Sequence, residues 1–132
     1  MIKQDYLVRM IQEILALLIN VILNKKKLRQ REWEEYDNLC TRILGCSMEA
    51  LLENSPEQMI ERFKGDIDCL DKLELAAMYQ LKVADDMKDD NLVSKTKLEY
   101  NALFLLKYIQ EKEKTFSLPR LQIIQNLEKR IG

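Results

Sequence analysis

The chain has 132 residues, 47% apolar and 33% charged, with only 3 glycines and 2 prolines. This suits one folded domain and argues against disorder, collagen-like structure and an all-β fold, which needs a turn residue every ten or so positions. Its 21 basic and 22 acidic side chains leave a net charge of −1, so no bulk attraction to nucleic acid is expected, and the lack of histidine removes Ser-His and Cys-His catalysis and every histidine-containing metal site.

The first predicted helix runs from about Lys3 to Asn24, with Tyr6, Met10, Ile14, Leu17 and Val21 among its apolar positions at helical spacing. The apolar arc is wide, which predicts cover on more than one side. Lys25, Lys26 and Lys27 fall at its C-terminal end, where cations complement the helix dipole. A second helix is expected over Leu28 to Leu44, its apolar side including Trp33, Tyr36, Leu39 and Cys40, and Gly45 supplies a left-handed stop. The short connection predicts antiparallel packing of the two, or a sharp bend near Asn24.

Ser47 can cap a short helix over Met48 to Glu53. Ser55, with Pro56 at the first helical position and Gln58 three residues after the cap, opens another that carries Met59, Ile60 and Phe63 and stops at Gly65. The next helix starts after Asp66 or Asp68 and runs to about Lys88, with Leu70, Leu73, Ala77, Leu81 and Ala84 recurring every three or four residues. The polar tract 85–91 ends it, and Asn91 is a candidate cap. The following helix covers Leu92 to about Lys112, with Val93, Thr96, Tyr100, Leu103 and Phe104 on one side. Its second half, 102–109, is apolar almost all round and is expected to be central. Ser117, Leu118 and Pro119 open a last helix carrying Leu121, Ile124, Leu127 and Ile131 and ending at Gly132.

No segment alternates at period two for long enough to demand a strand. The expected fold is all-α, an irregular array of about five to six antiparallel helices in one domain, 1–132. It divides into an N-terminal pair (1–45), short helices (46–65) and a hairpin plus C-terminal helix (66–132).

The hairpin from Leu75 to Lys107 has the length of one tetratricopeptide unit. Setting Ser94 at the small-residue position of the second helix puts Met78 and Leu81 at packing positions of the first and Leu98 at the large apolar position of the second. Lys82 and Asn101 stand where small residues are usual, and no proline closes the unit. The run Gln4-Asp5-Tyr6-Leu7-Val8-Arg9-Met10-Ile11, then Leu44-Gly45-Cys46-Ser47 with Ser55-Pro56-Glu57-Gln58, then the hairpin from Leu70, resembles a family of small bacterial helical proteins of unknown function over nearly the whole chain. The resemblance implies an all-helical, tetratricopeptide-like C-terminal half and a bacterial cytosolic origin. It implies no activity.

Cys40, Cys46 and Cys69 are odd in number and form no CxxC pair, so they read as buried thiols in a reducing cytosol rather than disulfides or a zinc site. The cleanest apolar run, Ile14 to Leu23, is shorter than the roughly 20 residues of a bilayer span and has no cleavage site after it, which predicts a cytoplasmic protein. The acidic tract Asp85, Asp86, Asp89 and Asp90 fails a calcium-loop pattern, because Met87 falls at the third position and Asp90 at the sixth, where glycine belongs. It reads as a solvated turn. Asp66, Asp68 and Asp71 read as first-turn residues near the positive end of a helix.

The basic patch Lys25, Lys26, Lys27, Arg29 and Arg31 admits a membrane-headgroup or nucleic-acid reading. Glu32, Glu34, Glu35 and Asp37 follow directly and are placed to pair with it along one helix, so a salt-bridged surface is the plainer expectation. Trp33 and Tyr36 read as core aromatics. With no nucleophile–base pair, phosphate loop or metal spacing, no enzyme, cofactor or metal is expected. The sequence reads as a non-catalytic protein–protein interaction or scaffolding module. Its expected interface is the first helix (Tyr6, Met10, Ile14, Leu17), with a homodimer through that helix as the leading partner hypothesis and no nucleic acid. The alternative is a peripheral membrane protein using the same helix and the basic patch.

Overall fold

The apolar positions recur every three or four residues, and the chain answers with helices. A computed structural model describes residues 4–87 and 92–131. Asp89, Asp90 and the Asn91 cap lie outside the described residues, as do Lys3, Lys88 and Gly132 at expected element ends. Among the described residues there are seven helices and no strand: α1 (Gln4–Leu23), α2 (Gln30–Leu44), α3 (Met48–Glu53), α4 (Pro56–Phe63), α5 (Cys69–Asp86), α6 (Leu92–Lys112) and α7 (Leu118–Ile131). The fold is all-α, with five long helices and two short ones.

Local chemistry sets the ends. Ser55 Oγ accepts from the Gln58 amide at 3.1 Å while Gln58 Oε1 accepts from the Ser55 amide at 2.8 Å, which completes the capping box and starts α4 with Pro56 at its first turn. Ser47 Oγ likewise accepts from the Ala50 amide and starts α3. Gly45 ends α2 at φ 74°, a left-handed conformation that glycine adopts without a Cβ penalty, and its amide donates to the Thr41 carbonyl. Its own carbonyl accepts from Arg62, which ties the α2 stop to α4.

Helix α5 is the hub, packed against α1, α2, α4 and α6, while α7 rests on α6 and α1. The Lys25–Asp85 ion pair brings the C-terminal ends of α1 and α5 together, and a cleft at the same end is lined by Ile22, Leu81, Ile123 and Arg130. Helices α1, α5 and α7 therefore run one way and α6 runs back between α5 and α7. Tyr6 and Met10 of α1 share a cleft with Arg42 and Ile43 of α2, so those two helices are antiparallel.

Two expectations need correction. Helix α2 begins at Gln30, and the lysines lie past the end of α1 in a linker over 24–29, where Lys25 takes φ 55° and turns the chain. The second half of α6 is in the core as expected, through Ala102, Leu103, Leu105, Leu106 and Ile109, but the most enclosed helix is α5, in which every residue from Leu73 to Lys82 is buried. In α6 the inward side is Leu98, Ala102, Leu105, Leu106 and Ile109, and of the expected apolar side Leu103 is buried whereas Thr96, Tyr100 and Phe104 point to solvent, and the Val93 side chain lies outside the described residues. Helix α6 is apolar on more of its circumference than its neighbours can cover.

Helices α5 and α6 form an antiparallel hairpin of 18 and 21 helical residues, already more than the roughly 34 residues of a whole tetratricopeptide unit. Met78, Leu81 and Leu98 are buried as that register requires, but Ser94, at the close-packing position, is exposed.

Candidate functional site

The side chains expected at a first-helix interface separate on folding. Ile14 is 3% exposed inside the main core with Ile11, Leu15 and Leu18, so it faces α5 and is not available to a partner. Met10 and Leu17 are half-buried. Tyr6 is exposed at the mouth of the α1–α2 cleft of about 210 Å³. One helix thus sends its apolar positions to three different environments.

The basic patch is exposed throughout. Lys25, Lys26 and Lys27 line a cleft of about 380 Å³ with Lys82, Asp85 and Asp86. Among the described residues no ion pair joins Arg29 or Arg31 to Glu32, Glu34, Glu35 or Asp37. Instead Glu32 accepts from the Arg29 backbone amide, an N-terminal helix contact, and Lys25 reaches Asp85 at 3.9 Å. The offset to this patch comes from α5, which no spacing rule within α2 would find.

Trp33 is half-buried. Its ring lies 5.3 Å from that of Tyr79, and the Lys82 ammonium sits 4.3 Å above it while pairing with Asp86. Trp33 is therefore a packing residue, as expected, and its ring face also meets the ammonium of a nearly buried lysine. Cys40 is buried, and burial together with nearby Asp37 pushes its thiol up to about 12, so it is inert at neutral pH. Cys46 and Cys69 are half-buried and also free.

A polar cluster escaped the sequence reading. Arg120, 1% exposed, sits in the first turn of α7 where α5, α6 and α7 meet. Its guanidinium donates to both Glu74 carboxylate oxygens at 3.3 and 3.2 Å, to Gln110 Oε1 at 2.8 Å and to the Thr115 carbonyl at 3.3 Å, and pairs with Glu113. Burial raises the Glu74 carboxyl above its ordinary range despite Arg120, with Glu113 and Asp71 adding to the rise. Asp71 is raised by burial, then by Glu113 and Asp68, against the pull of Arg120. The signal was present in the sequence: a cation in a first helical turn opposes the helix dipole, so it needs a local anion. The donors of this arginine are engaged with protein groups, so the cluster acts as a clasp on three helices. Among the described residues no group of three or more ligating side chains is arranged to hold a metal.

The outer side of α6 is uncovered, as are the separate side chains Tyr6, Ile67, Phe116 and Leu118. Tyr100 is 59% and Phe104 40% exposed, and with Leu103 and Ile131 they line the largest described cleft, about 470 Å³, edged by the Lys107–Glu128 ion pair at 3.2 Å. A second cleft continues along the same two helices past Leu121 and Ile124. The result is an open apolar groove between α6 and α7 with a charged rim, a shape suited to a helix rather than to an enclosed small molecule.

Fold and site together define an all-α helical array with an apolar groove on one face. None of the protein-family models, curated proteins or solved structures compared with the chain matches it.

Proposed function

We propose that this chain is a non-catalytic protein–protein interaction module whose contact face is the outer side of α6 with the adjoining edge of α7. One observation carries the reading: two aromatic side chains, Tyr100 and Phe104, stand out of a folded helix beside an apolar groove. Exposed aromatics in such a setting are the residue types from which interface centres are built. The charged rim of Lys107 and Glu128 matches the polar border that such centres carry. The location differs from the one read from sequence because Ile14 is committed to the core. A bacterial cytoplasmic setting belongs to this reading and rests on the resemblance and on the three free thiols.

A photo-reactive phenylalanine analogue at position 104, compared with one at exposed Glu35 on α2, tests it in cells making the full chain. Polypeptide adducts at 104 and none at 35 are expected. If position 104 gives no polypeptide adduct, the interaction face is not there.

A peripheral membrane role is the second reading, favoured by the segment Tyr6–Leu23, which has the length and apolar character of a bilayer-spanning helix. It would require the stripe Ile11, Ile14, Leu15 and Leu18 to leave α5, or lipid to bind the polar side of α1. Flotation with anionic vesicles at low and moderate salt tests it, and salt-insensitive absence of binding removes it.

A further inference from the structure

We propose that the occupant of the α6 groove is a second copy of this chain, its α6 laid antiparallel across the first with the two-fold axis at Phe104. This rests on the interaction-module reading above and adds the partner.

The exposed side of α6 is Lys97, Tyr100, Phe104, Lys107 and Glu111, each three or four residues from the next and hence on one stripe. Lys97 stands seven residues before Phe104 and Glu111 seven after it. At 1.5 Å per residue each is about 10 Å from the axis. An antiparallel copy therefore sets Lys97 of one chain opposite Glu111 of the other, twice. It also places the two Phe104 rings together at the centre, with Lys107 of each chain held at the rim by its own Glu128. A parallel copy would oppose Lys97 to Lys97, Lys107 to Lys107 and Glu111 to Glu111. The stripe thus complements itself in one direction only, as a two-fold interface requires.

The test is sedimentation equilibrium of the full chain from about 1 to about 500 µM, a span that resolves ordinary homodimer affinities. Wild type is expected to dimerise. Phe104→Glu, at an exposed position, should give a folded monomer by circular dichroism. Lys97→Glu and Glu111→Lys alone should each weaken the dimer by about 10-fold or more, and the double exchange should restore it to within about threefold of wild type. A monomer at every concentration overturns the proposal, and so does a dimer that ignores Phe104→Glu and both charge reversals. If the chain is monomeric but position 104 still crosslinks to a different polypeptide, only the second-copy claim fails. If it is monomeric with no adduct at 104, the interaction reading fails with it.

Discussion

Helices α5 and α6 are neighbours of similar length, and they have opposite problems. Helix α5 is enclosed on nearly all sides and takes Glu74, Gln80 and Lys82 inside with it. Helix α6 lies between α5 and α7 and also buries Glu99 and Asn101, but it leaves Tyr100 and Phe104 outside. A buried polar group must find a partner within the chain, because an unpaired charge in the interior is costly. An exposed aromatic can find its partner in another molecule. The contrast teaches that coverage, rather than apolar content, separates an enclosed helix from one with a free face.

The sharpest way to break the α5 half of that contrast is Arg120→Ala. It strands Glu74 and Glu113 at the junction of three helices, and a loss of about 3–5 kcal/mol is expected in urea unfolding. A loss below about 1 kcal/mol would mean that the carboxylates find water, and that α5 is less enclosed than its burial indicates. Next come the two sides of α6. Leu106→Ala, on the inward side, is expected to cost about 2–5 kcal/mol. Phe104→Ser, measured where the chain is monomeric, should cost under about 1 kcal/mol. Comparable losses at both sites would place Phe104 in the core and remove the groove. Lys82→Met keeps the aliphatic stem against Trp33 but deletes the ammonium over the ring, and a loss of about 1 kcal/mol in thermal unfolding is expected.

The smallest effect is one of pH. Asp71 has a folded carboxyl raised above its ordinary value of 3.8. The folded state therefore holds the proton more tightly than the unfolded chain does. The stability this contributes is fully present below that value and is lost as pH rises through the raised folded value. Asp71→Asn removes the slope, so its stability relative to wild type should increase as pH rises from about 4 towards 7. A difference that is flat with pH, read by parallel urea titrations, would show that Asp71 is solvated.

The helices themselves were legible. Ser47, Ser55, Pro56, Gln58 and Ser117 mark starts through groups within three residues, and Gly45 marks a stop through its own backbone. The start of α2 was misread by two residues because Leu28 continues the apolar spacing while Lys25 breaks the backbone, and spacing does not report φ. Which apolar side chains stay free was hidden for a different reason. Ile14 and Phe104 are both apolar residues at helical spacing, and which of them is covered depends on where α5 lies. Arg120 had a local signal, its place in a first helical turn, but its partners are 46 residues back on α5 and on the end of α6.

Composition, spacing and caps alone determined that this chain is all-α, where most of its helices begin and end, and that no histidine chemistry is available to it. These follow from interactions within a turn or two of backbone. Only the tertiary structure decided that α5 is the hub, that Arg120 clasps three helices, and that the uncovered apolar face belongs to α6 rather than α1. Each of those depends on which helices lie side by side, and helical periodicity, which records only that a face is apolar, is the same whether that face meets its own chain or another.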